Sequence, residues 1–247
     1  MKKYLSVFSV IARESVWRIS LLWIASAALQ TVSFYREMLS ENVQSSKMVA
    51  KAFTSYEDNI TVPVLFALTM LLTGILLMKT GMDFRTRTGY TLRRLRITEK
   101  QVYLLQSVYN SLMLFILFLF EVALCFVLVN WGTSFIEPGY ITNQTVYLTF
   151  YSSEFLSDMF AGRDIINILR NLLMIISLGF NLSCFAYMWR RGRKHILGAL
   201  LLVIWSFMFW WCPGFGNFEN VAISVASAGM LIAAAGIVRS GGKEYDS

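Results

Sequence analysis

Residues 79–100 read Lys-Thr-Gly-Met-Asp-Phe-Arg-Thr-Arg-Thr-Gly-Tyr-Thr-Leu-Arg-Arg-Leu-Arg-Ile-Thr-Glu-Lys, a basic stretch set between two apolar runs of membrane-spanning length. Lys79, Arg85, Arg87, Arg93, Arg94, Arg96 and Lys100 are opposed only by Asp83 and Glu99. A loop so rich in Lys and Arg belongs on the cytoplasmic side of a bilayer under the positive-inside bias. It is too basic to cross the membrane and too long for a minimal turn, so it is a place where a soluble partner could dock.

The rest of the chain agrees with a membrane setting. Of its 247 residues 56% are hydrophobic and 15% charged, with a mean hydropathy of +0.56, which is outside the range of a soluble domain. Spanning the hydrocarbon takes about 17 to 25 apolar residues. Six such runs are present, over 16–34, 60–78, 104–129, 166–189, 196–212 and 221–238. The expected fold is an all-α integral membrane protein, a single domain over 1–247 with six transmembrane helices.

The net charge of +7 is explained by where the charges lie, and it does not point to nucleic acid. With the N-terminus inside, Lys2, Lys3, Arg13, Arg18, the bases of 79–100, Arg190, Arg191, Arg193, Lys194, Arg239 and Lys243 all face the cytoplasm. Arg36, Lys47, Lys51 and Arg163 fall outside, together with most of the loop acids. That asymmetry predicts both termini inside. Cys125, Cys184 and Cys212 are scattered and odd in number, as packing residues would be. Ala25-Ser26-Ala27 resembles a signal cleavage site, but Arg13, Glu14 and Arg18 leave too short an apolar region before it.

Residues 1–15 gather Tyr4, Leu5, Val7, Phe8 and Ile11 near one side of a helical wheel and predict a helix lying on the inner leaflet; the alternative is an extension of the first span. The outer segment 130–165 carries Trp131, Phe135, Tyr140, Tyr147, Phe150, Tyr151, Phe155 and Phe160, too many rings for a solvated linker, so it is expected to pack on the outer mouth. In the last run Ala222, Ala226, Gly229, Ala233 and Gly236 form a smooth face suited to close helix approach, within the subunit or between subunits.

Two ionisable residues sit inside spans. At about 1.5 Å per residue, Glu121 lies about 12 Å from the outer end of its run and Arg170 about 6 to 8 Å from its own. Groups of this kind face protein or water rather than lipid, so both are expected to point inward, as an intramembrane polar pair meeting directly or through solvent. Asn181, deeper in the fourth run, is expected to bond a neighbouring helix. Covalent chemistry has little support. The single histidine, His195, lies in the basic cluster 190–194, and no zinc-protease, nucleophile-elbow or paired-cysteine pattern occurs. Gly241-Gly242-Lys243-Glu244 lacks the Ser or Thr of a phosphate loop and follows a membrane helix, so the chain is expected to bind no nucleotide and no metal.

Within the basic stretch, Thr98-Glu99-Lys100-Gln101 has the form of a capping box that opens the third span. Upstream, Phe84, Thr88, Thr91, Leu92 and Leu95 share a side of a short helix flanked by Arg85, Arg93, Arg94 and Arg96, a surface that anionic membrane lipid could also hold. The run Arg87-Thr88-Gly89-Tyr90-Thr91-Leu92-Arg93-Arg94-Leu95-Arg96-Ile97-Thr98-Glu99-Lys100-Gln101 resembles the loop between the second and third spans of ABC-2-type transporter permeases, and the six-span layout fits along essentially the whole chain. The resemblance implies a permease subunit paired with a second copy or close relative and with two separate ABC ATPase subunits, which hold ATP and Mg. It implies a coupling helix carried by Phe84, Arg85, Arg87, Thr91, Leu92, Arg93, Leu95 and Arg96, and a gate helix carried by Leu5, Phe8 and Ile11. The lean build is similar to exporters of amphipathic peptides such as the phenol-soluble modulin type, with lipid or drug as other cargoes and a bacterial plasma membrane as the setting. An intramembrane enzyme and a non-transporting structural or immunity protein are the competing classes.

Overall fold

The computed structural model describes residues 2–40, 61–82, 98–134, 155, 159, 165–192, 196–211 and 216–240. They form six helices: α1 (Lys2–Ser40), α2 (Thr61–Met82), α3 (Glu99–Thr133), α4 (Ile165–Arg190), α5 (Leu197–Trp211) and α6 (Asn217–Ser240). Each of the six apolar runs lies within or nearly within one helix. α4 is the hub, packed against α6, α3, α5 and α2, while α1 lies against α2 and α3.

Four helices contain segments long and apolar enough to cross a membrane: Thr61–Thr80, Glu99–Gly132, Ile165–Arg190 and Asn217–Arg239. The other two fall short for different reasons. α1 is long, but Ser20, Ser26, Gln30, Thr31 and Ser33 dilute its apolar run. α5 is strongly apolar but has 15 residues, about 22 Å at 1.5 Å per residue against roughly 30 Å of hydrocarbon.

The expected surface helix over 1–15 is not separate from the first span. One uninterrupted helix runs from Lys2 to Ser40, and neither Gly nor Pro occurs in it to stop it. Its buried stripe, Ile11, Ser15, Ile19, Trp23, Ser26, Gln30 and Phe34, keeps helical spacing across the expected boundary. α2 admits Pro63 because it falls in the first turn, where a missing N–H costs little.

The bundle is apolar outside and encloses polar groups within its apolar core. Its outer surface displays Trp17, Ile24, Leu68, Leu104, Leu119, Val203, Val225 and Ile232, while its interior holds Ser15, Gln30, Thr73, Asn110, Glu121, Arg170, Asn181 and Ser227. Apolar exposure on this scale has a stable home only in lipid, where water cannot satisfy a buried polar group and neighbouring helices must. This is a membrane protein. Cys125 and Cys184 are both buried thiols, in keeping with a packing role.

Candidate functional site

Phe84, Arg85, Arg87, Thr91, Leu92, Arg93, Leu95 and Arg96 lie outside the described residues, as do His195 and Cys212. The frame on both sides of that basic segment is described. α2 delivers the chain with exposed Lys79 near its end, and α3 receives it at Thr98. Thr98 and Gln101 form the expected capping box, with the Thr98 backbone N–H donating to Gln101 Oε1 at 3.3 Å.

The next residue, Glu99, binds the end of α4. Arg191 donates from Nη2 at 3.0 Å and from Nε at 3.1 Å to the same carboxylate oxygen. The guanidinium also sits over the Tyr187 ring, 4.5 Å from its centroid, and Tyr187 packs edgewise on Tyr103. A guanidinium that places two donors on one carboxylate oxygen and stacks on a buried ring is better held than a lone surface ion pair. α4 then ends at Gly192, whose φ of 72° lies in the left-handed region that favours glycine.

Leu5, Phe8 and Ile11 belong to α1, the helix that also holds the first apolar run. Phe8 meets Tyr109 of α3 edge-on at 5.3 Å between ring centroids, and the Tyr109 hydroxyl bonds Ser15. Ile11 is buried in the core. Above this contact α1 is joined to α2 by neutral polar bonds: Trp23 Nε1 donates to Thr73 Oγ1 at 3.2 Å, and the Ser26 and Thr69 hydroxyls meet at 2.6 Å.

Glu121 and Arg170 both point inward as expected, at 1% and 4% exposure, but of the two expected arrangements, direct or through solvent, the direct contact is not made. Glu121 accepts from Gln30 Nε2 of α1 at 2.7 Å and makes no ion pair among the described residues. Arg170 turns instead to amides: Nε and Nη2 donate to Asn171 Oδ1 at 3.2 and 3.1 Å, and Nη1 donates to Asn220 Oδ1 of α6. Asn220 in turn donates to Asn167 Oδ1 at 2.6 Å. Depth along a helix brought the two ionisable groups to comparable levels, but their directions around the helix axis send one toward α1 and the other toward α6. Asn181 reaches its own helix at Ser177 O, at 2.8 Å, and more weakly Met230 O of α6, at 3.5 Å.

α3 and α4 approach each other closely at Gly179. A Cβ built on Gly179 would lie 2.6 Å from the backbone N of Ser111 and 2.7 Å from its Cα, so only glycine lets the two backbones approach this closely. One turn along, Asn110 Nδ2 donates to Ser183 Oγ at 2.9 Å. Toward the C-terminal half of α3 the same helices part into an apolar cleft of about 300 Å³, lined by Phe115, Phe118, Leu119, Val122, Ile168, Asn171, Leu172 and Ile175 together with Met159 from the segment before α4. Phe155 of that segment packs on Phe66 of α2. Among the described residues no three His, Cys, Asp or Glu side chains come together as a metal ion would require.

Gln30, Asn220 and the Ser15–Tyr109 bond are the participants that the sequence reading missed. Gln30 carried a visible signal, an amide in the middle of an apolar run; Asn220 was concealed by its place at a helix start. Compared with family models, curated proteins and solved structures, the chain finds no match in sequence or in fold.

Proposed function

We propose that this chain is the permease subunit of an ATP-driven exporter of the ABC-2 type, spanning a bacterial plasma membrane six times with both termini inside. A second copy or a close relative completes the translocation path. Two separate ATPase subunits hold ATP and Mg and dock on residues 84–96, while the cargo is amphipathic or hydrophobic, a peptide before a lipid or a drug. The gate lies at Leu5, Phe8 and Ile11, where α1 leans on α3.

One observation carries this reading: the basic segment feeds a capped helix start whose first turn is tied to the end of the hub helix by Glu99 and Arg191. Displacement of that segment by a closing ATPase acts on α3 and, through Glu99, on α4, which packs against four other helices. Closure in the cytoplasm thereby biases the arrangement of the spans.

The test is purification with the product of a neighbouring ATPase gene. Stable association, with ATP turnover that falls several-fold when Leu92 and Leu95 are changed to Ser, supports the exporter. Turnover of a substrate without nucleotide indicates an intramembrane enzyme, and a solitary inert protein indicates a structural or immunity role. Either result overturns the proposal.

A further inference from the structure

The hydrogen bonds between Glu121 and Gln30 do not close while the acid is ionised. Glu121 is 1% exposed and Gln30 is fully buried. Gln30 Nε2 donates to Glu121 Oε1, whereas Gln30 Oε1 is buried and meets no donor. A carboxylate can only accept, so it compels the amide to turn its N–H toward it and strands the amide oxygen. In an apolar setting a stranded acceptor and an unpaired charge are both costly.

The neighbours supply no relief. On α1 the buried stripe beside Gln30 offers Ser26, already bonded to Thr69, and Phe34. α2 carries no titratable side chain before Lys79. α3 itself brings Cys125, a buried thiol one turn from Glu121. The charged residues of α4 are Arg170, bonded to Asn171 and Asn220, and Arg190 at the far end of the helix.

We propose that Glu121 and Gln30 form a proton-binding site at the contact between α1 and α3. The carboxyl group holds one proton and donates its O–H to Gln30 Oε1, while the Gln30 N–H is donated to the other carboxyl oxygen. The two side chains then close a ring of two hydrogen bonds, the amide oxygen gains a donor and no net charge is buried. Transfer of the proton to water restores the carboxylate, strands the amide oxygen and weakens the hold of α3 on α1. The site stands whether or not an ATPase docks on the chain.

Infrared difference spectroscopy of the full-length chain in lipid nanodiscs tests this. At neutral pH the wild-type protein should show the carbonyl band of a protonated carboxylic acid, shifted in D2O and absent from Glu121→Gln. Gln30→Met should move that band to higher frequency, because it removes the hydrogen-bonding partner without removing the acid. As pH rises, the unfolding midpoint of the wild type should fall relative to that of Glu121→Gln, since the folded wild type holds a proton that the unfolded chain releases. Ionised carboxylate bands in the wild-type minus Glu121→Gln difference at neutral pH overturn the proposal. If Glu121→Gln fails to insert, an acid band that is absent from the wild type, or unmoved in Gln30→Met, overturns it equally.

Discussion

α4 and α6 are neighbours of similar length, 26 and 24 residues, and each contains an apolar segment able to cross a membrane. In the most apolar stretch of α4, 61% of the residues are buried; in that of α6 the share is 28%. α4 is wrapped by four helices, whereas α6 touches the bundle through Asn220, Ile223, Ser227, Ala234 and Val238 and turns Ala222, Ala226, Gly229, Ala233 and Gly236 outward. The smooth face expected to permit close approach is therefore open within this chain. Asn220 marks the packed side of α6 through its bonds to Arg170 and Asn167, because a strongly polar group in hydrocarbon must find a partner and a small apolar one need not.

The same substitution on the two helices should break the symmetry most sharply. Gly179→Leu places side-chain atoms where the Ser111 backbone already stands, and a loss of about 3 kcal/mol, or failure to assemble, is expected from overpacking that backbone cannot absorb. Gly229→Leu meets nothing within 4 Å, and its stability should stay within about 0.5 kcal/mol of wild type. Reversible unfolding in mixed micelles measures both, and equal losses would refute the contrast between a packed α4 and an open α6.

Asn220→Leu comes next, since it removes an acceptor from the buried Arg170 guanidinium and should cost about 2 kcal/mol. Ala226→Leu, on the outward face of α6, should be nearly silent in the same assay. On α1, Ser26→Ala should cost about 0.6 kcal/mol, the usual size of a hydrogen bond between membrane helices. Charge reversal at Glu99 should also change stability little, by under about 1 kcal/mol and less in salt, because that pair is partly exposed. If ATP turnover is coupled through this pair, Glu99→Lys should lower it far more than it lowers stability.

Helix positions were the most legible part of the chain because apolar runs and caps are local signals. The run 104–129 grows into Glu99–Thr133 once the Thr98 cap is counted, and 166–189 is nearly the whole of Ile165–Arg190. The unity of α1 was less legible, since amphipathic wheels distinguish a surface helix from a span but cannot say whether a break separates them. The partners of the buried ionisable residues were not legible at all. Residue spacing gives Glu121 and Arg170 their depths, but which way each points depends on how α1 and α6 pack, and that is set by Gln30 and Asn220 on other elements.

The lack of a hinge in α1 has a mechanical consequence. Its 39 residues extend about 58 Å at 1.5 Å each, nearly twice the thickness of the hydrocarbon layer. A rod of that length must lean or project beyond the lipid. Phe8, Trp23, Ser26 and Gln30 ride on that one helix, so a tilt of α1 shifts its contacts with Tyr109, Thr73, Thr69 and Glu121 together.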